Sequence, residues 1–355
     1  MKSMMSKERG EVSLFVVVFA TLLLTIVTVS FVRIMIHDQQ QASTIDLSQS
    51  AYDSAQAGVE DAKLALLRCK SGGDCSKINS TTCNDAVGSP GEEVKVEQSD
   101  SSSLNQAYTC LLINTQTDNV QGNLTQDASG ILPLIGLSAF NTIKIDWFKG
   151  NDASDIPTFS NGTPLLSQNT WPVNRPPIIR AQLIQYNSTG FSLSDFDGNN
   201  STNATNNTLF LYPTDITVNT AQFNSDARKL NKSIQQVICN KTNIYSCSTT
   251  IKLPKAVSGN DNPAYLRLTS LYGASDYQIT LKDVDGKDVK FNGVQPSIDS
   301  TGRAGDLFRR VQARVEFNNT DFPYPEAAVD ISGSLCKNFE VTATTYSPLT
   351  PMCTP

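Results

Sequence analysis

The sequence predicts an α+β protein: a long N-terminal helix, transmembrane at first and an amphipathic spine afterwards, followed by a mainly antiparallel β-rich head. Three observations carry this. An uncharged apolar run near the N-terminus leads without proline into a segment of helical period. The composition changes near residue 69, where Ser, Thr, Asn, Asp and Gly become frequent. Beyond that point apolar residues recur with a period of two.

Val12 to Val32 reads VSLFVVVFATLLLTIVTVSFV and carries no charge before Arg33. As a helix it spans about 30 Å, the thickness of a bilayer core. Lys2, Lys7 and Arg9 precede it with Glu8 opposing. Basic flanks stay in the cytoplasm, so the expectation is a single-pass protein with a cytoplasmic N-terminus and its bulk outside. The run is longer than a secretory signal core, and no small-residue cleavage site follows it. It is therefore read as retained.

The helix continues through SAYDSAQAGVEDAKLALL, residues 50–67. Ile45, Ser48, Tyr52, Ala55, Val59, Ala62 and Leu66 recur at steps of three and four, which is one helical stripe. Asp53, Gln56, Glu60 and Lys63 form a parallel polar stripe. Ala51, Gly58 and Ala65 stand seven apart on nearly one side, where small residues admit another backbone. Gly58 costs about 1 kcal/mol relative to alanine in a helix interior. The helix should stop at Gly72-Gly73. Glu11 to Arg68 then forms one helix of about 85–90 Å. Two uses of the stripe stay open: packing on the chain's own domain, to which the pattern alone points, or packing on copies of the helix.

Residues 70–104 read as a loop. Strands are expected at NTIKIDWF, with Ile143, Ile145 and Trp147 on one face, and at IIRAQLIQY (178–186), YLRLTSLYG and YQITL. Asp285-Gly286 marks a hairpin turn. LFRRVQARVEF sets Leu307, Val311, Ala313, Val315 and Phe317 against Arg310, Gln312, Arg314 and Glu316, a half-buried antiparallel strand. FEVTATTY near the end is a further strand. DARKLNKSIQQVIC (226–239) reads as a helix and FDGNNSTNATNNTLF (196–210) as a polar loop. Residues 188–260 look like a polar insertion, and 264–345 like the most coherent sheet.

Eight cysteines, Cys69, Cys75, Cys83, Cys110, Cys239, Cys247, Cys336 and Cys353, all follow the apolar run. This suits an oxidising compartment and disulfides. Eight cysteines can pair in roughly a hundred ways. Proximity favours Cys69–Cys75, Cys83–Cys110, Cys239–Cys247 and Cys336–Cys353. Zinc is disfavoured by the absence of CxxC pairs and of nearby histidine.

Function classes are narrowed by what is missing from the sequence. Charged residues make up 17% of the 355 and the net charge is −6, which argues against nucleic acid as a partner. His37 is the sole histidine and sits at the edge of the apolar run. No G-x-S-x-G, P-loop, HExxH or Rossmann pattern occurs, so no enzyme and no cofactor is expected. Asp195, Asp197 and Asn199, and Asp283, Asp285 and Asp288, lack EF-hand spacing and read as turns, so no metal is expected. Trp147 and Trp171 are read as core residues. Sequons occur at Asn79, Asn123, Asn161, Asn187, Asn199, Asn200, Asn203, Asn206, Asn231, Asn240 and Asn318; they read as exposed, arising from a surface rich in Asn, Ser and Thr.

A short basic leader ending in Arg9-Gly10, followed by an uninterrupted apolar helix and SAYDSAQAGVEDAKLAL, resembles the N-terminus of type IV pilin-like proteins. The larger minor pilins and pseudopilins, with their alanine-rich A…AEAGIE.A pattern, are the nearest in kind. The resemblance covers roughly residues 7–68. It implies a leader of residues 1–10, cleavage by a prepilin peptidase between Gly10 and Glu11, a helix of 11–68 and an extracytoplasmic head of 69–355. It implies partners in the membrane and in other pilin-like subunits, met through helix-packing residues Phe15, Ala51, Ala55, Gly58, Ala62 and Ala65. The implied function is a structural subunit of a type IV pilus or pseudopilus, as a minor pilin whose head serves adhesion or assembly at the cell surface. The pattern departs from the family at the fifth mature position, where Phe15 replaces the usual glutamate, and at the first, where Glu11 replaces the common aromatic residue. The alternative is a permanently anchored surface binding protein that does not assemble.

Overall fold

The computed structural model describes residues 9–96, 105–158, 168–187, 204–215, 221–222, 234–259 and 262–316, without the side chains of 9–13, 204–206 and 221–222. Helix α1 runs unbroken from Arg9 to Lys70. At the standard rise its 62 residues extend about 93 Å. It ends in a Schellman motif: Gly73 N–H bonds Arg68 O at 2.9 Å and Gly72 N–H bonds Cys69 O at 3.2 Å. Gly72 takes the left-handed conformation this cap requires, with φ +89°.

Fifteen strands follow among the described residues. They are β1 (Val94–Lys95), β2 (Ala107–Thr117), β3 (Val120–Leu124), β4 (Ser129–Leu134) and β5 (Phe140–Lys149). Next come β6 (Ile178–Tyr186), β7 (Ala204–Thr214), β8 (Ala221–Gln222), β9 (Gln235–Ile238) and β10 (Tyr245–Val257). The last are β11 (Ala264–Leu271), β12 (Ser275–Lys282), β13 (Asp288–Val289), β14 (Phe291–Ala304) and β15 (Leu307–Arg314). An α+β architecture with mainly antiparallel sheets is the result, as the sequence predicts.

The chain divides into two compact units, residues 1–113 with 298–313, and 114–297 with 314–355. In the first, the second half of α1 lies on a sheet of order β1-β2-β14-β15. Two residues, Gly305 and Asp306, join β14 to β15, a hairpin connection that only antiparallel neighbours allow. Strand β15 alternates as expected, but its residues range from half-buried to exposed, because it lies at the sheet's edge among the described residues.

The second unit is a sandwich. One sheet has the order β13-β12-β5-β10-β8, with β3 also on β12; the other has the order β4-β11-β6-β7-β9. Ile143, Ile145, Ile251 and Ile279 from one sheet meet Ala181, Leu183, Leu211 and Leu266 from the other in a single apolar core. Trp147 is fully buried there and its Nε1 donates to Pro177 O at 3.0 Å. Trp171 anchors a smaller cluster, edge-on to Tyr212 and Tyr272 and beneath the Arg175 guanidinium. Both tryptophans are core residues.

Several sequence readings change. Within 226–239, read as a helix, Gln235–Ile238 is strand β9, parallel to β7; the rest of that stretch up to residue 233 lies outside the described residues. Within 196–210, read as a polar loop, residues from Ala204 onward belong to β7, whose polar Asn207 and Thr208 are buried where they pair with β6. The stretch 188–260 is no insertion in the sheets it touches, since β10 pairs with β5 along most of its length. Nor do the described strands of 264–345 form one sheet. They divide among three, β11 joining β6, β12 joining β5 and β14 joining β2. In each case pairing with strands distant in sequence overrides local composition.

The hairpin at Asp285-Gly286 forms as expected, with Gly286 at φ +79°. Asp283 Oδ1 accepts N–H bonds from Asp285 and Lys287, and Lys282 pairs with Asp288. This accounts for that acidic group as a turn; Asp195, Asp197 and Asn199 lie outside the described residues.

Candidate functional site

Helix α1 has two environments. From Leu14 to Asp46 every side chain is exposed. The part up to Ile36 is long and apolar enough to cross a membrane. Its hydroxyl groups are closed on themselves, and its one charged residue, Arg33, stands near the far end. Thr21, Thr25, Thr28 and Ser30 each donate their hydroxyl to a carbonyl three or four residues back. Phe15 is 72% exposed and stacks on Phe19, one turn along the helix, with 6.3 Å between ring centroids. Leaving one large apolar side chain in water instead of burying it costs about 1.5–3 kcal/mol. From Leu14 to Val32 the helix carries no charge on any side and therefore needs apolar surroundings on every side. Gly10 and Glu11 lie in the first turn of α1.

From Leu47 onward one face of α1 is covered. Ala51, Ser54, Ala55, Gly58, Val59, Ala62, Ala65 and Leu66 are buried. The buried face is thus centred on the small residues. Ile45 and Tyr52, placed by periodicity on the apolar stripe, remain 59% and 41% exposed. Asp53, Gln56 and Glu60 are exposed as the polar stripe requires, and Lys63 pairs with Glu60 at 2.6 Å.

The surface beneath is also built of small residues. Along β14, Ser300, Gly302 and Ala304 point toward α1 while Asp299, Thr301 and Arg303 alternate away. A Cβ at Gly302 would stand 2.2 Å from both Ala51 O and Ala55 N, so strand and helix backbones touch there. A Cβ at Gly58 would stand 2.3 Å from Ser300 Oγ and 3.1 Å from Tyr108 Cγ. Without it, the buried Tyr108 ring lies across the helix and its hydroxyl donates to Asp61 at 2.7 Å. Burial, and then the Asp61 carboxylate, push the Tyr108 phenol far above its ordinary range.

Ala51, Ala55, Gly58, Ala62 and Ala65 thus meet the chain's own sheet, which leaves this face closed to a second helix. Sequence reasoning missed the other half of the contact. Its signal was there: Ser300, Gly302 and Ala304 place small residues at a period of two.

Three disulfides occur among the described residues. Cys69–Cys75 closes the end of α1, Cys83–Cys110 ties the following loop to β2, and Cys239–Cys247 bridges the residue after β9 to the start of β10. They match three of the pairs that proximity favours; Cys336 and Cys353 lie outside the described residues. Of the sequons, Asn79, Asn123 and Asn240 are exposed and Asn187 is half-buried.

No family model, no curated protein and no solved structure matches this chain.

Proposed function

We propose that this chain is a structural subunit of a type IV pilus-like or pseudopilus-like filament, of the minor-pilin kind, which presents its β-rich head at the cell surface. One observation carries the reading. A single helix is exposed and apolar through its first half and seated on an antiparallel sheet through its second. This architecture agrees with the resemblance at residues 7–68. In the proposed mechanism the segment Leu14–Ile36 exchanges lipid for the same segment of neighbouring subunits, while the small face of 51–65 holds the head to the helix. The disulfides support a head placed in an oxidising, extracytoplasmic compartment.

A second reading, a permanently anchored surface protein, is favoured by Phe15 in place of the family's glutamate and by the closure of the small face on the chain's own sheet. The mass of the N-terminal peptide of protein taken from the cell surface separates the two. Leader processing gives a peptide beginning at Glu11. A peptide that still contains Lys7–Gly10 removes the processed-pilin reading and leaves the anchored protein.

A further inference from the structure

The outer face of the second unit's six-stranded sheet carries a groove of about 510 Å³. Its floor comes from three adjacent strands: Lys144 and Asp146 on β5, Ser248 on β10 and Gln278 on β12. Ser248 and Gln278 both stand opposite Asp146 in register. Lys144 Nζ meets Asp146 Oδ2 at 2.9 Å, so the floor's two charges cancel. The Asp146 carboxylate is almost completely buried at this contact. Gln121 Nε2 donates to Gln278 Oε1 at 3.1 Å, which orients the Gln278 amide.

The wall of the groove is held rigid. Residues 242–245 belong to the loop closed by Cys239–Cys247. Asn240 Oδ1 accepts the Thr242 N–H at 3.0 Å and the Thr242 hydroxyl at 2.9 Å. Gly150 N–H donates to Ile244 O at 3.0 Å, and a Cβ at Gly150 would fall 1.9 Å from Asn243 O. Only glycine lets the loop fold this close to the end of β5. Phe148 is left-handed at φ +57°, a conformation rare for a bulky residue. The resulting break in alternation buries Trp147 and Phe148 together and returns Lys149, paired in register with Tyr245, to the polar side, where it meets Asp276 at 3.1 Å. Such strain is retained where the surrounding structure needs the geometry. Ile244 at the loop tip is 85% exposed, although no packing among the described residues calls for an isoleucine there.

We infer that this groove binds a neutral saccharide. The floor offers the Gln278 amide and the Ser248 hydroxyl, which together can give and accept hydrogen bonds with vicinal hydroxyl groups. The ion pair leaves the floor itself without net charge, and of the further charges near Tyr245 Lys149 is answered by Asp276, while Arg314 is held by Asn119 O and Gln295 Oε1. Tyr245 and Ile244 supply apolar surface for the C–H face of a sugar ring. The volume falls within the roughly 300–1,000 Å³ of small-ligand sites. None of the lining residues belongs to helix α1, so the inference stands or falls independently of filament assembly.

The test is binding of the full chain, held in a detergent without a sugar headgroup, to immobilised neutral, sialylated and sulfated oligosaccharides. Arms with free disaccharide ends and with long polysaccharide chains separate recognition of a terminal sugar from recognition of a chain interior. The expected result is retention on neutral oligosaccharides, weakened at least tenfold by Gln278→Ala. Ile244→Gly, at an exposed tip where folding is not at stake, should weaken it severalfold. No retention on any neutral oligosaccharide overturns the inference. So does retention confined to sialylated or sulfated ones, or binding that both variants leave unchanged.

Discussion

At Gly302 the contact between strand and helix depends on the absence of one methyl group. Gly302→Ala would push a Cβ into helix backbone on two sides, and neither Ala51 O nor Ala55 N can rotate away. The expected cost is about 3 kcal/mol, the upper part of the overpacking range, read as a lowered midpoint in urea unfolding of the full chain. Gly58→Ala meets a serine hydroxyl that can turn aside and a Tyr108 ring carbon at 3.1 Å that must give by a few tenths of an ångström, and it gains helix propensity, so its expected cost is smaller, about 1 kcal/mol. Equal effects would mean that the helix does not seat on β14 as described. Tyrosines set the alkaline limit. Burial, and then the charge of Glu316, push the Tyr277 phenol up to about 12. Its folded value exceeds its unfolded one, so its contribution is complete below about pH 10 and is lost as the pH rises through about 12. Thermal unfolding followed between pH 9 and 12 should show a falling midpoint, and Tyr277→Phe should flatten that fall. A midpoint that does not move would refute the assignment. Asp276 behaves in the opposite sense. Its hydrogen bond from Asn123, and then its contact with Lys149, hold its carboxyl below the usual range, so its contribution is lost as the pH falls below about 4.

At the scale of elements, the disulfides secure short segments that have little core of their own. Cys69–Cys75 closes a separation of 6 residues and Cys83–Cys110 one of 27. Loop-closure entropy then predicts losses of about 2 and about 3.5 kcal/mol respectively when each pair is replaced by serine. The order is the testable part: a larger loss from the shorter bridge, in denaturant unfolding, would show that the loop after α1 is held mainly by something else. Helix α1 itself was legible in the sequence from end to end. Its apolar run, its 3.6-residue period and its Gly72-Gly73 stop are all local signals. The strands around Ile143, Ile178 and Tyr277 were legible for the same reason, since alternation is local. The sheets were not. β7 contains Asn206-Asn207-Thr208, a polar stretch that becomes a strand because it pairs in register with Ile184, Leu183 and Gln182 of β6. The seat of the helix was half legible. A small stripe on α1 shows that some backbone comes close, but its partner, β14, begins over two hundred residues later. The groove was not legible at all, because Lys144, Asp146 and Gln278 read singly as outward-facing residues of surface strands.

At the scale of the whole molecule, the account rests on a division of labour along one helix. Residues 51–66 are used up in holding the head, while Leu14–Ile36 lacks any partner among the described residues yet cannot remain in water. Lipid satisfies that segment in a monomer, and other copies satisfy it in a filament. The two states differ in whether the segments of neighbouring chains touch. Val18 lies in this segment with its side chain exposed. A Val18→Cys variant, made in cells that produce the protein and oxidised in place, reads that contact directly in material sheared from the cell surface. The account predicts disulfide-linked dimers of the full chain in the sheared fraction. Sheared material that stays monomeric, or protein found only in the membrane fraction without cross-links, would contradict assembly through the apolar half of α1.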